Sequence, residues 1–120
     1  MRISEAAAAC GLSADTIRYY EKSGMLPDIG RGADGNRDFS RRDVEWLTLL
    51  YWLRETGMPL KQMKRFTALA KAGEAGLSER RRILLDHKAA LKRRRALLDR
   101  CEEVLAIKIA SYGAGPEESR

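Results

Sequence analysis

The chain has 120 residues, 33% of them charged, and a formal net charge of +6. That length allows one modest domain around one small core, no run approaches the ~18 apolar residues of a membrane span, and two cysteines without motif spacing exclude a disulfide framework. The pI of about 9.6 favours an anionic partner without naming it.

The excess charge is uneven. Residues 1–40 carry 5 basic and 6 acidic groups, 41–76 carry 7 and 4, and 77–110 carry 10 and 5. "AAAACG" at 6–11 lacks the basic leader and long apolar stretch of a lipoprotein signal. These features predict a cytoplasmic protein with reduced thiols and no membrane partner. With one histidine, no paired acids at motif spacing and no phosphate-binding glycine loop, the sequence offers no catalytic set.

Ser4 is expected to cap a first, alanine-rich helix of about 5–10, closed by Gly11. Ser13 caps a second over 14–23, because its hydroxyl can accept a bond from an orphan N–H one turn ahead, and Gly24 suits the left-handed position past the helix end. The link Gly11-Leu12-Ser13 has the length of a helix-turn-helix corner. Ala7 is small enough for a close crossing, and Ile17 faces back onto the first helix. An ordinary helical corner remains the alternative at this point. A helix this short is marginal alone, so neighbours must hold it.

"DIGRGADGNRDFS" at 28–40 has no helical period. Asp34-Gly35 is a preferred hairpin turn, so a small two-stranded wing is expected, flanked by Arg31 and Arg37 and anchored by Phe39. Ser40 and Asp43 form a capping box for a third helix of about 41–56, apolar nearly all round at "WLTLLYWL". Gly57 ends it. Pro59 opens a fourth helix whose buried stripe is Leu60, Met63, Phe66 and Leu69 or Ala70, and "AGEAG" at 72–76 is a break.

Leu77, Leu84, Leu91, Leu98 and Leu105 then fall at strict sevens, flanked by Ile83, Ala90, Leu97 and Val104. The pattern predicts one long helix over 77–110 whose seam, Cys101 included, needs a partner helix. No second long helix exists in the chain, so self-pairing into a homodimer is the economical solution. The "ERRR" and "KRRR" clusters read as solvated flanks, and 111–120 as a frayed tail.

This arrangement resembles the MerR family of bacterial transcription regulators. "RISEAAAACGLSADTIRYYEKSGMLP" is similar to the family's opening motif, "GNRDFS" with "DVEWL" to its wing and third-helix start, and "LRETGMPLKQMK" to its fourth-helix region. The resemblance implies a mainly α fold: a winged helix-turn-helix DNA-binding domain over 1–71, followed by a long antiparallel coiled-coil dimerisation helix over 77–110. It implies a homodimer that binds a pseudo-palindromic promoter site in double-stranded DNA, distorts it in response to an effector, and so serves RNA polymerase. Thr16, Arg18 and Tyr19 would face the DNA from the second helix, with Tyr20 either beside them or in the core; packing is also open for Tyr19. Arg37 would clamp a phosphate from the wing, and Lys61 and Lys64 would reach the backbone from the fourth helix. Asn36 stands where the family usually has a tyrosine.

No metal site or cofactor is expected: the family's metal sensors carry cysteines at the start of the long helix, where this chain has Leu77-Ser78-Glu79. "LRETGMP" is most similar to thiol and aldehyde responders, whose third-helix cysteine is replaced here by Trp52. The inducer is expected to be a small molecule held by apolar groups such as Trp46, Trp52 and the long helix, or else a ligand that the sequence does not reveal. Two other readings stay open: a ligand-free architectural DNA binder of the excisionase kind, and a coiled-coil interaction protein.

Overall fold

The computed structural model describes residues 1–113, so most of the tail expected at 111–120 lies outside the described residues. Five α-helices follow one another: α1 (Ile3–Cys10), α2 (Ala14–Lys22), α3 (Arg41–Glu55), α4 (Leu60–Lys71) and α5 (Leu77–Ser111), with a 3-10 turn at Gly73–Gly76 before the last. The chain divides into two compact units, Met1–Ile83 and a second beginning at Leu84.

The helix ends show how local chemistry sets the first unit. Ser13 Oγ accepts from Thr16 N at 3.0 Å and caps α2. At α3, Asp43 N donates to Ser40 Oγ while Ser40 N donates to the Asp43 carboxylate, so the capping box forms as the spacing predicted. For α1 the expectation fails. Arg2, not Ser4, is the N-cap, because the Glu5 carboxylate captures Arg2 N at 2.9 Å and draws Ile3 and Ser4 into the first turn. Gly11 adopts φ +90°, and a Cβ there would also stand 3.3 Å from the Tyr51 ring.

The core gathers Ala6 and Cys10 of α1, Ile17 and Tyr20 of α2, Leu47, Leu50 and Leu53 of α3, and Met63 and Phe66 of α4. Met25, Leu26 and Phe39 from the connections complete it. α1 packs on both α2 and α3, and α3 on α4. Ala6 rather than Ala7 is the fully buried small residue. Leu60, Leu69 and Ala70 are only half-buried, whereas Thr67, which apolar patterning passes over, is buried. Its hydroxyl donates to Met63 O at 3.0 Å, one turn back, so the group travels into the core already satisfied.

The wing also differs from a two-stranded ribbon. One antiparallel bridge, Arg31 with Arg37, joins its arms, framed by Gly32 N to Asn36 O and Asp38 N to Gly30 O, both 2.8 Å. The turn runs Gly32–Gly35, closed by Gly35 N to Gly32 O at 3.0 Å with Gly35 at φ +81°. It is thus a three-residue loop with a left-handed glycine, not a two-residue Asp34-Gly35 turn. No strand forms among the described residues because the arms, rich in glycine and free of β-branched residues beyond Ile29, offer too little to pair.

The second unit is the continuation of α5. A 35-residue helix is about 52 Å long at ~1.5 Å per residue. Leu97, Leu98, Val104, Leu105, Ile107 and Ile109 are all exposed along it, Leu98 at 63%. Cys101 is exposed too.

Gly76 tests the packing at the α4–α5 junction. An ideal Cβ there would lie 2.2 Å from Leu69 O, a backbone atom that cannot swing aside. Gly76→Ala should lower stability by about 1–3 kcal/mol as an overpacking defect, read from the urea midpoint. Gly30→Ala, where a Cβ meets nothing within 4 Å, should stay within about 0.5 kcal/mol of wild type.

Candidate nucleic-acid interface

α2 is the short helix whose exposed residues need a purpose. With Ile17 and Tyr20 buried, the helical period leaves Arg18, Tyr19 and Lys22 exposed and Thr16 half-exposed. Thr16 is held at the N-terminus, where its hydroxyl accepts from Ser13 Oγ at 2.9 Å. Arg18 Nη1 donates to Asp15 Oδ1 at 2.9 Å, a pair in which Asp15 is 95% exposed. Such a surface pair contributes little, of order 0–1 kcal/mol, so it pre-orients the guanidinium without locking it.

Tyr19 and Tyr20, adjacent in sequence, separate in structure. Tyr19 is 49% exposed and Tyr20 is 3% exposed, their ring centroids 6.0 Å apart. Burial pushes the Tyr20 hydroxyl's pKa up, with the Arg54 charge opposing it. Tyr20 is therefore a neutral core residue that sets the angle of α2, not a member of the exposed face.

The wing is tied to this helix. Arg37 Nε donates to the Glu21 carboxylate of α2 at 2.6 Å. Arg31 Nη1 donates to Gly35 O at 2.7 Å, and Arg2 Nη2 meets Asp34 Oδ2 at 2.5 Å. The backbone N–H of Asn36 and then its side-chain amide hold the Asp34 carboxyl below the usual carboxylate range. A lowered folded pKa means this contribution to the wing is present above the ordinary carboxylate pKa and is lost as pH falls through the lowered value. The residue standing in the family's tyrosine position thus shapes the turn. The N-terminal ammonium closes the base of the wing, donating to Asp38 Oδ1 at 2.6 Å and Phe39 O at 2.8 Å.

Lys61 and Lys64 lie on the exposed side of α4. A cleft brings together Ser13, Thr16 and Tyr19 of the helix-turn-helix with Tyr51 and Arg54 of α3 and Leu60 of α4. Sequence reading did not single out these two: Tyr51 sits inside the stretch 46–53 read as apolar nearly all round, and Arg54 follows it directly. Their i, i+3 spacing, which puts both on one helix face, was the available signal. The two tryptophans do not share a pocket. Trp52 is 58% exposed and packs edge-on against Tyr51, while Trp46 stacks on Phe66 with centroids 5.3 Å apart. Among the described residues, no group of three or more His, Cys, Asp or Glu could hold a metal ion, and no helix is long and apolar enough to cross a membrane.

Residues 1–69 match the family model of MerR HTH family regulatory proteins. An HTH-type transcriptional regulator of Haemophilus influenzae is 39% identical over 109 residues, which cover 91% of this chain and 81% of that one. The transcriptional regulator AdhR of Bacillus subtilis is 32% identical over 91 residues, 76% of this chain and 65% of that one. Among solved structures, a MerR family regulator from Listeria monocytogenes superposes with a TM-score of 0.84 at 33% identity, covering 96% of this chain and 87% of that one. HiNmlR, a MerR family regulator lacking the sensor domain and crystallised bound to promoter DNA, superposes with a TM-score of 0.82 at 39% identity, covering 92% and 88%. These relatives are regulators and not enzymes. With its helix-turn-helix, wing and long C-terminal helix all matched, the chain belongs to the MerR HTH family of transcriptional regulators.

Proposed function

We propose that this regulator is a cytoplasmic homodimer that binds a pseudo-palindromic site in double-stranded promoter DNA and acts on RNA polymerase there by effector-dependent distortion of the duplex. The observation that carries the reading is the exposed α2 face, Thr16-Arg18-Tyr19, with a wing arginine tied to the same helix through Glu21. The relative bound to promoter DNA is similar over most of this chain and supports it.

In this reading Arg18 addresses a guanine edge or a phosphate, Thr16 a base edge or the backbone, and Tyr19 a phosphate. Arg37 clamps the backbone flanking the groove, and Lys61 and Lys64 extend that contact from α4. Tyr51 and Arg54, lining the cleft beside Thr16 and Tyr19, join the phosphate-facing set. Two copies paired through the Leu77, Leu84, Leu91, Leu98, Cys101 and Leu105 stripe of α5 present two such faces, antiparallel in the manner of the family. The energy spent deforming the DNA between half-sites then gives specificity at base pairs the protein never touches.

Selection of binding sites from random duplexes tests the reading directly: a palindromic consensus is expected, and a library that emerges unenriched would refute it. On the selected site, Arg18→Ala should cost ~1–3 kcal/mol and blur base preference at one position per half-site. Arg37→Ala should weaken all sequences alike and flatten the salt dependence by about one unit in log–log slope per contact removed.

The dimer has its own test. Leu98 is exposed in the single chain, so an aspartate there is harmless to a lone helix but buries a charge in a seam. Leu98→Asp should halve the mass seen by light scattering while leaving the helical circular dichroism of the first unit intact. A variant that stays dimeric would put the seam elsewhere.

A further inference from the structure

A cavity of ≈ 480 Å³ opens in the first unit on the side of α3 that carries Trp46, at the junction of α3, α4 and the first turn of α5. That volume is in the range of small-molecule sites, roughly 300–1,000 Å³. Its apolar wall is Pro27, Ala70 and Trp46, the indole backed by Phe66 at an interplanar angle of 13°. Its charged lining is Arg42, Lys71 and Arg80 against one acid, Asp43, whose carboxylate is already engaged by Ser40 N. Trp46 Nε1 is likewise committed, donating to Met25 O at 3.0 Å, so the indole supplies a flat surface and no hydrogen bond.

Arg80 is the discordant residue. The sequence placed it in a solvated cluster, yet it is half-buried. Its Nη2 donates to Gly73 O at 3.3 Å, while its Nε is buried and has no acceptor among the described residues. The Nε is closed to any occupant, but the cavity's lining sets three cations, Arg42, Lys71 and Arg80, against one engaged acid, and that excess of positive charge favours an anion.

We propose that this cavity is a binding site for a small organic carboxylate with a flat apolar body, the body lying on Trp46 and Pro27 and the carboxylate compensating Arg80 with help from Arg42 and Lys71. Trp52, outside the cavity, takes no part. The site touches the chain just past α2 at Pro27, the helices α3 and α4 whose Trp46 and Lys71 hold the exit of α2, and the start of α5. An occupant that fits one arrangement of these elements better than another shifts the balance between them by its difference in affinity and no more. The regulatory consequence rests on the function proposed above; the binding does not.

The full chain carries two tryptophans, and Trp52→Phe leaves the Trp46 indole N–H as one resolved signal in a ¹H–¹⁵N correlation spectrum. In that background 2-naphthoate should move the signal saturably, and 2-naphthamide, the same body without the charge, should bind at least tenfold more weakly. Inorganic phosphate, a charge without the body, should not shift the signal saturably in the same range. Arg80→Gln should erase the preference for naphthoate over naphthamide, and Arg42→Gln, at an exposed position that does not endanger folding, should reduce it. Equal affinity for the acid and the amide in the folded parent would overturn the anion site. So would a signal unmoved by naphthoate, or a wild-type protein in which the Trp52 signal moves and Trp46 does not. Fluorescence anisotropy on the selected duplex, run in parallel, separates the two ideas: a protein that binds naphthoate but no DNA would defeat the function proposed above and leave this site standing.

Discussion

One backbone segment carries the assembly. Residues 24 and 25 leave the end of α2 and are gripped by side chains from both supporting helices. Trp46 of α3 donates its indole N–H to Met25 O at 3.0 Å and Lys71 of α4 reaches Gly24 O at 3.1 Å, while the Thr67 hydroxyl, whose proton goes to Met63 O, stands 3.4 Å from Met25 O. Met25 N in turn returns to Tyr20 O at 2.8 Å. A nine-residue helix cannot hold itself in water. Here its exit is fixed by two side-chain donors and its entry by the Ser13 cap, and the exposed face between them inherits that rigidity.

The same economy governs the wing. With one bridged pair it has almost no ladder of its own, and isolated hairpins are marginal even with a full one. Its position is therefore imposed from outside, by the Met1 ammonium at the base, Arg2 at the tip and Glu21 on the flank. Phe39, buried at the base where its carbonyl accepts from the Met1 ammonium, contributes the apolar anchor. Wing and α2 consequently behave as one surface.

Much of this was readable from the residues. The Ser13 and Ser40 caps, the glycine stops at Gly11, Gly24 and Gly57, and the burial of Ile17 and Phe39 all follow from local rules that involve a few consecutive positions. The start of α1 was misread because a serine is the better cap on average, whereas here a carboxylate three residues on decided the matter. The wing was overdrawn because Asp-Gly is a strong turn signal that says nothing about how long the arms remain paired. Thr67 was hidden because a hydroxyl satisfied one turn back in its own helix breaks the apolar pattern yet still buries, and Arg80 because the cavity it lines is walled by α3 and α4. The heptad of α5 makes the opposite case: its leucines are plain in the sequence, and in a single chain Leu84 and Leu91 are half-buried while Leu98 and Leu105 are exposed, as the pattern requires of a helix that is completed by something else.

The acids within the basic face have a kinetic meaning. Asp15 lies against Arg18 and Glu21 against Arg37, so the two arginines proposed to meet nucleic acid each carry a carboxylate alongside. Against an arbitrary stretch of duplex, the carboxylates repel phosphates that the guanidiniums would attract, and loose encounters are short-lived. On the function proposed above, each arginine would exchange its internal partner for an external one only where the duplex offers acceptors in the right places. On that proposal, such a surface would give up affinity for the bulk of a chromosome in return for faster departure from wrong addresses, shortening the time spent searching for the right one.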